Sequence, residues 1–407
     1  MIIKLVQGYC CIAPLKLKME GGNKVDRSVV LAAPTKMIIP VIKVVGMSCN
    51  LRCTYCFYHA RDQLVGNVMS LSLVEKFIRE YLELFSGEIC LNWHGGEPLL
   101  AGVEFFEKVV EYESQYAGPQ HKIQNTVQTN GILINDNWAK FFKRNDFGVG
   151  VSIDGDQQSH DRFRKTKNNR GSFRRVLKGI ETLRRHDIDP GIIQTVVSQN
   201  SAETTRNFHF LVKELKCAHL GVNFFVDQDG VNAEMIGCSV TNKDMEKIMR
   251  DYFELWLQCD DPQLRIREID NIICGVTGKR ATTCIWNGSC ANFICLNFNG
   301  NVYPFCDRMS NRDDLIIGNL GKSSLREILN SRGRIKHIEA VNELPEDCLN
   351  CKWLNACRNG CPSQRTEGLA GRYIFCDARK ALFEYVEKRV AELTPETNGN
   401  EKEEKSS

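Results

Sequence analysis

Cys49-Asn50-Leu51-Arg52-Cys53-Thr54-Tyr55-Cys56-Phe57-Tyr58 is the stretch on which the reading of this chain turns. Its cysteines are separated by three residues and then by two, just after an apolar run over residues 38–45. Three thiolates on one tight loop can hold three corners of a four-iron cluster, leaving the fourth iron open to a small molecule. A structural zinc site closes its coordination with four ligands. No fourth Cys or His follows at zinc-finger spacing, although His59 is close.

Outward from the loop, the chain is long enough, at 407 residues, for a main domain and a smaller one. Its 53 basic and 50 acidic residues nearly cancel, so nothing global argues for nucleic acid or an anionic membrane as partner. Nineteen cysteines fit either the disulfides of a secreted protein or metal ligands in a reduced compartment, and their short, clustered spacings favour ligands. The N-terminal apolar pieces are broken by Lys4, Lys16 and Lys18, which argues against a secretory signal. No apolar run approaches a membrane span. The expectation is a soluble, cytoplasmic, oxygen-sensitive protein.

From residue 38, short apolar stretches alternate with amphipathic ones. Strands are expected over 38–45, 88–93, 123–129, 148–153, 191–197 and 220–226, and helices over 71–85, 104–116, 137–144, 173–185 and 202–215. This alternation predicts parallel βα units. Six of them predict an α/β fold, a partial (β/α)6 barrel with its chemistry at the C-terminal ends of the strands. Residues 1–37 read as an N-terminal extension, 38–240 as the barrel, and 241–283 as a bridge opening with a helix over 241–259. A small cysteine-rich domain folded around metal follows over 284–377. A last helix over 378–393 leads to a charged, disordered tail over 394–407. No internal repeat is present.

The triad Cys49, Cys53 and Cys56 closes the first expected strand, at the catalytic end of the barrel. After the second comes Gly95-Gly96-Glu97-Pro98. Two glycines let the backbone approach a ligand and Pro98 stiffens the exit, although such a sequence also makes a plain turn. At the end of the fourth stand Ser152 and Asp154-Gly155, with Arg164 twelve residues beyond Ser152. A hydroxyl and a planar guanidinium can hold a ribose and a carboxylate. The alternative is a turn at Asp154-Gly155 and a solvated helix residue at Arg164. Gln128-Thr129-Asn130-Gly131 either lines the pocket or turns the chain, and His94 is either structural or a substrate contact.

The C-terminal cysteines are the second strong signal. Cys284-x5-Cys290 is followed by Cys306, then Cys348-x2-Cys351-x5-Cys357-x3-Cys361, then Cys376. Eight thiols suffice for two fully ligated four-iron clusters, while pairs such as Cys348/Cys351 also suit zinc. Cys10, Cys11, Cys90, Cys217, Cys238, Cys259, Cys274 and Cys295 read as buried or free thiols, with Cys295 set apart by its place inside the ligand-rich region. Asp307, beside Cys306, can take a proton from a substrate held between clusters. It can equally accept backbone hydrogen bonds in the turn near Asn299-Gly300.

From residue 38 to about 387 the chain resembles the anaerobic sulfatase-maturating enzymes, a branch of the radical S-adenosylmethionine (SAM) enzymes with a SPASM domain. The resemblance is carried by residues 49–58, Gly95 to Pro98 with Leu99-Leu100-Ala101-Gly102, 128–131, 152–155, 284–290, 302–307 and 348–361. It implies a partial (β/α)6 barrel, SAM as co-substrate and three [4Fe–4S] clusters. Cys49, Cys53 and Cys56 would hold the cluster that binds SAM. Cys284, Cys290, Cys306 and Cys361 would hold a first auxiliary cluster, and Cys348, Cys351, Cys357 and Cys376 a second. The turn Gly95-Gly96-Glu97 would bond SAM's amino group, Ser152 and Arg164 its ribose and carboxylate, and Tyr58 would lie against the adenine. Asp307 matches the acid that serves as base. Two departures stand near the expected substrate pocket. Tyr303-Pro304-Phe305-Cys306-Asp307 has one residue more between Pro304 and Cys306 than the family pattern, and residues 308–314 lack its aromatic-rich stretch. Both bear on the substrate more than on the chemistry.

The implied activity begins with one electron entering the Cys49/Cys53/Cys56 cluster and cleaving SAM to methionine and a 5′-deoxyadenosyl radical. That radical takes a hydrogen from a peptide side chain, Asp307 removes a proton, and the auxiliary clusters accept the remaining electron. On a sulfatase, a Cys or Ser becomes formylglycine. A maturase of a ribosomally made peptide, forming a thioether or carbon–carbon cross-link, would use the same machinery. Residues 1–37 are short for a leader-binding domain, which favours the sulfatase. A non-catalytic iron–sulfur or zinc protein would need no SAM pocket, and Gly95 to Pro98, Ser152 and Arg164 speak against it. The expected partners are a peptide or protein substrate and an electron donor such as a flavodoxin or ferredoxin.

Overall fold

Strands buried on both faces of a parallel sheet read as near-continuous apolar runs, and the run after residue 37 forms such a strand, β1 (Ile39–Lys43). The structure, a computed structural model, describes residues 38–58, 68–227, 235 and 237–393. The expected N-terminal extension, His59 and the charged tail lie outside the described residues. After β1 come β2 (Gly87–His94), β3 (His121–Thr129), β4 (Gly148–Ser152), β5 (Gly191–Val196) and β6 (His219–Phe224), each parallel to the one before. Between them run α1 (Leu71–Leu84), α2 (Val103–Tyr116), α3 (Asp136–Arg144), α4 (Gln157–Phe163), α5 (Phe173–Arg185) and α6 (Thr204–His209). Ser70 and Asn135 cap α1 and α3, their side chains accepting from the N–H groups of Leu73 and Trp138.

Two elements depart from expectation. The helix α4 is seven residues long and mostly polar, too short to show a period. The helix expected over 202–215 is broken into a 3-10 turn (Ser198–Glu203), α6, and a π turn (Phe210–Glu214). The short polar side chains at its start bond locally: Asn200 Oδ1 accepts from the Val197 N–H.

The sheet runs past the six barrel strands on both sides. In the stretch read as a bridge, β7 (Arg265–Ile266) pairs parallel with β6. In the cysteine-rich region, β8 (Phe293–Asn297) pairs parallel with β1, placing Val41 opposite Cys295 and Lys43 opposite Asn297. A hairpin continues it through β9 (Asn301–Tyr303) and β10 (Gly318–Asn319). The ten strands lie in the order β10-β9-β8-β1-β2-β3-β4-β5-β6-β7, and the sheet does not close. Periodicity cannot register strands of two to five residues, so the cysteine-rich region is more regular than its sequence suggests. The helices α7 (Asn242–Cys259) and α8 (Arg267–Val276) lead into it, and α9 (Cys376–Leu393) starts at the last candidate ligand, two residues before residue 378.

Under α2 and α3 the core is aromatic. Phe106 is fully buried, with the rings of Trp93, Trp138, Phe141 and Phe147 all within 6.3 Å of its own. This floor supports the C-terminal ends of β2 and β3, where candidate residues emerge.

Candidate functional site

The cysteine loop is stitched down along both flanks by backbone bonds. Arg52 and Thr54 donate to the carbonyls of Lys165 and Phe163, at 2.7 and 2.9 Å. Opposite, Gly96 and Glu97 donate to the carbonyls of Gly46 and Ser48, at 2.9 and 2.8 Å. A Cβ on Gly96 would lie 2.0 Å from the Ser48 oxygen, and one on Gly95, where φ is +110°, 2.8 Å from that of Gly46. The two glycines therefore let the strand-two turn lie against the approach to Cys49, a packing reason beside the ligand-approach reason. Glu97 is wholly buried. Its oxygens accept from Thr129 Oγ1 (2.7 Å), Leu99 N (3.1 Å) and Asn130 N (2.8 Å), tying the turn to the end of β3. Asn130 reaches back to the loop, with Nδ2 2.7 Å from Asn50 Oδ1 and 3.6 Å from Cys49 Sγ.

Burial pushes the Cys49 and Cys53 thiols up to about 12; the Glu97 charge adds to the rise at Cys49, and Arg164 opposes it at Cys53. Cys56 lies close enough for its charge to act on Cys53. Such thiols give up their protons when a cation binds.

Arg164 is not a solvated helix residue. It caps α4, is 7% exposed, and its Nε lies 3.0 Å from Asp154 Oδ2. The same oxygen accepts from the Tyr55 hydroxyl at 2.6 Å, and Asp154 Oδ1 accepts from the Thr195 N–H at 2.9 Å. Tyr55, Asp154 and Arg164 thus lock the middle of the loop, between Cys53 and Cys56, onto β4 and β5. Ser152 Oγ accepts from Gln128 Nε2 at 3.1 Å, so the ends of β3 and β4 are joined as well.

A second centre forms where β1 and β2 meet the C-terminal region. Asp307 Oδ2 accepts from the Tyr58 hydroxyl at 2.7 Å and lies 3.1 Å from His94 Nδ1. Burial alone would raise this carboxyl, but His94, Tyr58 and Lys43 together hold it well below the usual range. Burial likewise pulls His94 down, and Asp307 more than reverses it, so the imidazole is raised. Lys43, fully buried at the end of β1, stands 4.3 Å over the Tyr58 ring and donates to Ser310 Oγ at 2.9 Å. The Tyr58 hydroxyl is thus committed to Asp307 and one face of its ring to Lys43. Cys295 faces this centre, close enough to act on Lys43 and Asp307.

None of the described cysteines is in a disulfide. Cys284, Cys290, Cys306 and Cys361 come together: each of the first three is raised by burial and then by the charges of others in the set. Cys348, Cys351, Cys357 and Cys376 form another group, in which burial and the other three charges push Cys348 up to about 11. These four line one pocket, walled by Trp353, Tyr373, Phe383 and Arg379. No three His, Cys, Asp or Glu side chains among the described residues are close enough to share a single metal ion. The last thiol set surrounds a cavity, and an all-sulfur donor set around a space fits an iron–sulfur cluster.

Sequence reasoning missed Lys43, the bond of Tyr55 to Asp154, and the pairings of Asp154 with Arg164 and of His94 with Asp307. Only Lys43 carried a visible signal, a charge inside an apolar strand.

Comparison with known proteins agrees with this geometry. Residues 44–203 match the Radical SAM superfamily, and residues 274–352 match an iron–sulfur cluster-binding domain, SPASM. The cysteine-type anaerobic sulfatase-maturating enzyme of Clostridium novyi is 30% identical over 370 residues, 88% of this chain and 97% of that one. The serine-type enzyme of Bacteroides thetaiotaomicron is 30% identical over 379 residues, 86% of this chain and 90% of its own length. The solved structure of native anSMEcpe with bound AdoMet and Cp18Cys peptide superposes with a TM-score of 0.79 at 28% identity, covering 88% of this chain and 99% of that one. Among the described residues no helix is long and apolar enough to cross a membrane. An open barrel with a cysteine loop at its mouth, continued by a cysteine-rich hairpin region, is the architecture these relatives share, and the chain belongs to the anaerobic sulfatase-maturating enzymes of the radical SAM superfamily.

Proposed function

We propose that this enzyme acts in the cytoplasm on a sulfatase, oxidising the Cβ of a Cys or Ser to the aldehyde of formylglycine, as the names of its cysteine-type and serine-type relatives suggest. One observation carries the reading. The Tyr58 hydroxyl, at the end of the cysteine loop, bonds to Asp307, 249 residues away and beside Cys306. That bond brings the loop and the first C-terminal thiol group to the same point, where one side chain can lie between them.

Cys49, Cys53 and Cys56 hold one [4Fe–4S] cluster, Cys284, Cys290, Cys306 and Cys361 a second, and Cys348, Cys351, Cys357 and Cys376 a third. When bound, these clusters and SAM supply one-electron transfer and hydrogen-atom abstraction. The backbone of Gly95 and Gly96 would bond SAM's amino group, while Glu97 keeps that turn in place. Ser152 and the Arg164 guanidinium would receive the ribose and carboxylate. Tyr58 orients Asp307. Asp307, held ionised by His94, Tyr58 and Lys43, accepts the proton that substrate oxidation releases. A small carrier, a flavodoxin or ferredoxin, donates the electrons.

The test is anaerobic reconstitution with dithionite, SAM and a peptide containing Cys or Ser followed by x-Pro-x-Arg. Formation of 5′-deoxyadenosine together with an aldehyde-reactive peptide is expected. An unchanged or cross-linked peptide with 5′-deoxyadenosine still formed would remove the sulfatase assignment. No 5′-deoxyadenosine at all would remove the enzyme reading.

A further inference from the structure

Arg379, on the first turn of α9, is the most buried arginine of the described residues, at 1% exposed. Its guanidinium is sandwiched between aromatic rings, 3.8 Å from the Trp286 centroid and 4.4 Å from that of Tyr373. Its Nη1 donates to the carbonyls of Ile285 (2.7 Å) and Cys357 (3.4 Å) and reaches Cys357 Sγ at 3.4 Å. Its Nε is buried without a partner. No carboxylate among the described residues pairs with it; Asp377, two positions away, pairs with Arg372 at 2.6 Å. A fixed positive charge out of water and without a counter-ion costs several kcal/mol. The side chain lines the cavity bordered by Cys348, Cys351, Cys357 and Cys376.

We infer that Arg379 is the built-in counter-charge of the iron–sulfur cluster in that cavity and raises its reduction potential. The inference rests on the proposed ligand set. Four thiolates around a [4Fe–4S]2+ core carry a net charge of about −2, becoming about −3 on one-electron reduction. A guanidinium bonded to one of those sulfurs stabilises the more negative state more strongly, and the low dielectric of an aromatic sandwich leaves that difference unscreened. The arginine is thus a positioning and tuning residue. It touches no substrate.

The experiment uses the full chain, reconstituted anaerobically in a Cys49→Ala/Cys53→Ala/Cys56→Ala background so that only the auxiliary clusters remain, with redox titration followed by EPR. Arg379→Gln should shift one of the two reduction waves to lower potential and leave the other in place, while Arg379→Lys should shift it less. Loss of about four irons in Arg379→Gln, but not in Arg379→Lys, would equally support a required charge. Unmoved waves with iron intact, equal shifts in both variants, or iron loss in both would overturn it, leaving Arg379 a packing residue. Cys348→Ala/Cys351→Ala in the same background is the separate check on the ligands. If it removes no iron, the ligand reading has failed rather than the role of Arg379.

Discussion

The cysteine loop and the C-terminal thiol groups bind through the same atoms but are built in opposite ways. The loop is held by the barrel itself: four backbone bonds on its flanks, Glu97 tying one side, and the Tyr55–Asp154–Arg164 cluster locking its centre. The C-terminal thiols come from segments as far apart as Cys284 and Cys361, carried on turns and four-residue helices such as Cys284–Asn287, Glu346–Leu349 and Leu354–Cys357. A site whose frame exists before its ligand can serve repeated binding and release. A site whose frame is completed by its ligand serves best with that ligand permanently in place.

The largest test of this contrast is removal of iron. Anaerobic chelation should leave hydrogen-exchange protection in β2 to β6 nearly unchanged and abolish it over residues 284–376. Equal loss in both regions would show that the loop too depends on its cluster for shape. Next in size, Cys53→Ala should reduce 5′-deoxyadenosine formation to background while leaving about eight irons per chain, read by iron analysis and product chromatography. Asp154→Asn probes the frame rather than the ligands. It leaves Arg164 buried without its counter-charge, so the variant should lose about 3–5 kcal/mol of stability in anaerobic denaturant titration. Its SAM cleavage should fall although its iron content stays that of the parent.

The smallest effect concerns pH. Burial raises the Glu113 carboxyl to about 7, opposed by a hydrogen bond from Asn125 Nδ2. Its folded value is above the ordinary one, so the folded protein binds the extra proton. Stability should therefore decline as pH rises from about 4.5 to 7, by on the order of 3 kcal/mol. Glu97, which burial also raises to about 7, adds its own share over the same range, so Glu113→Gln should remove only the Glu113 share of that slope. Because Asn125 links Glu113 to Trp93 in the barrel, the share of the slope that Glu113→Gln removes should be the same with and without iron. A slope present only with iron would dissolve the distinction between the two regions.

Much of this was legible before the fold was known, for identifiable reasons. The six barrel strands announce themselves because β1 is an apolar run and most of the others alternate buried with less buried residues at period two, and all six lie within two residues of expectation at either end. The candidate thiols stood out because their short spacings are local, while their division into two groups, Cys361 with Cys284 and Cys376 with Cys348, came only from the family resemblance. What stayed hidden depends on distant pieces meeting. His94 and Asp307 were each singled out as candidates, but their pairing appears only when β8 and its hairpin join β1, beside β2. Arg164 read as solvated or ligand-binding because its partner Asp154 lies in another element and no period links them. The glycines of Gly95-Gly96 were noticed, but the backbone they admit, that of Gly46 and Ser48, belongs to the loop before Cys49. The sheet extension by β7 and β8 was hidden by strand length alone.

The pairing of β8 with β1 has a consequence for biogenesis. β1 is the first strand of the barrel to be synthesised, yet its second neighbour, beginning at Phe293, follows Ile39 by about 250 residues. At roughly 5–20 residues per second, one side of β1 waits on the order of ten to fifty seconds for its partner to emerge from the ribosome. Throughout that interval a row of unpaired N–H and C=O groups on an apolar strand is open to strand addition by any neighbouring chain. A truncated product ending before residue 293 would keep that edge bare indefinitely. Yield of the intact protein should depend on elongation running through the hairpin without a pause.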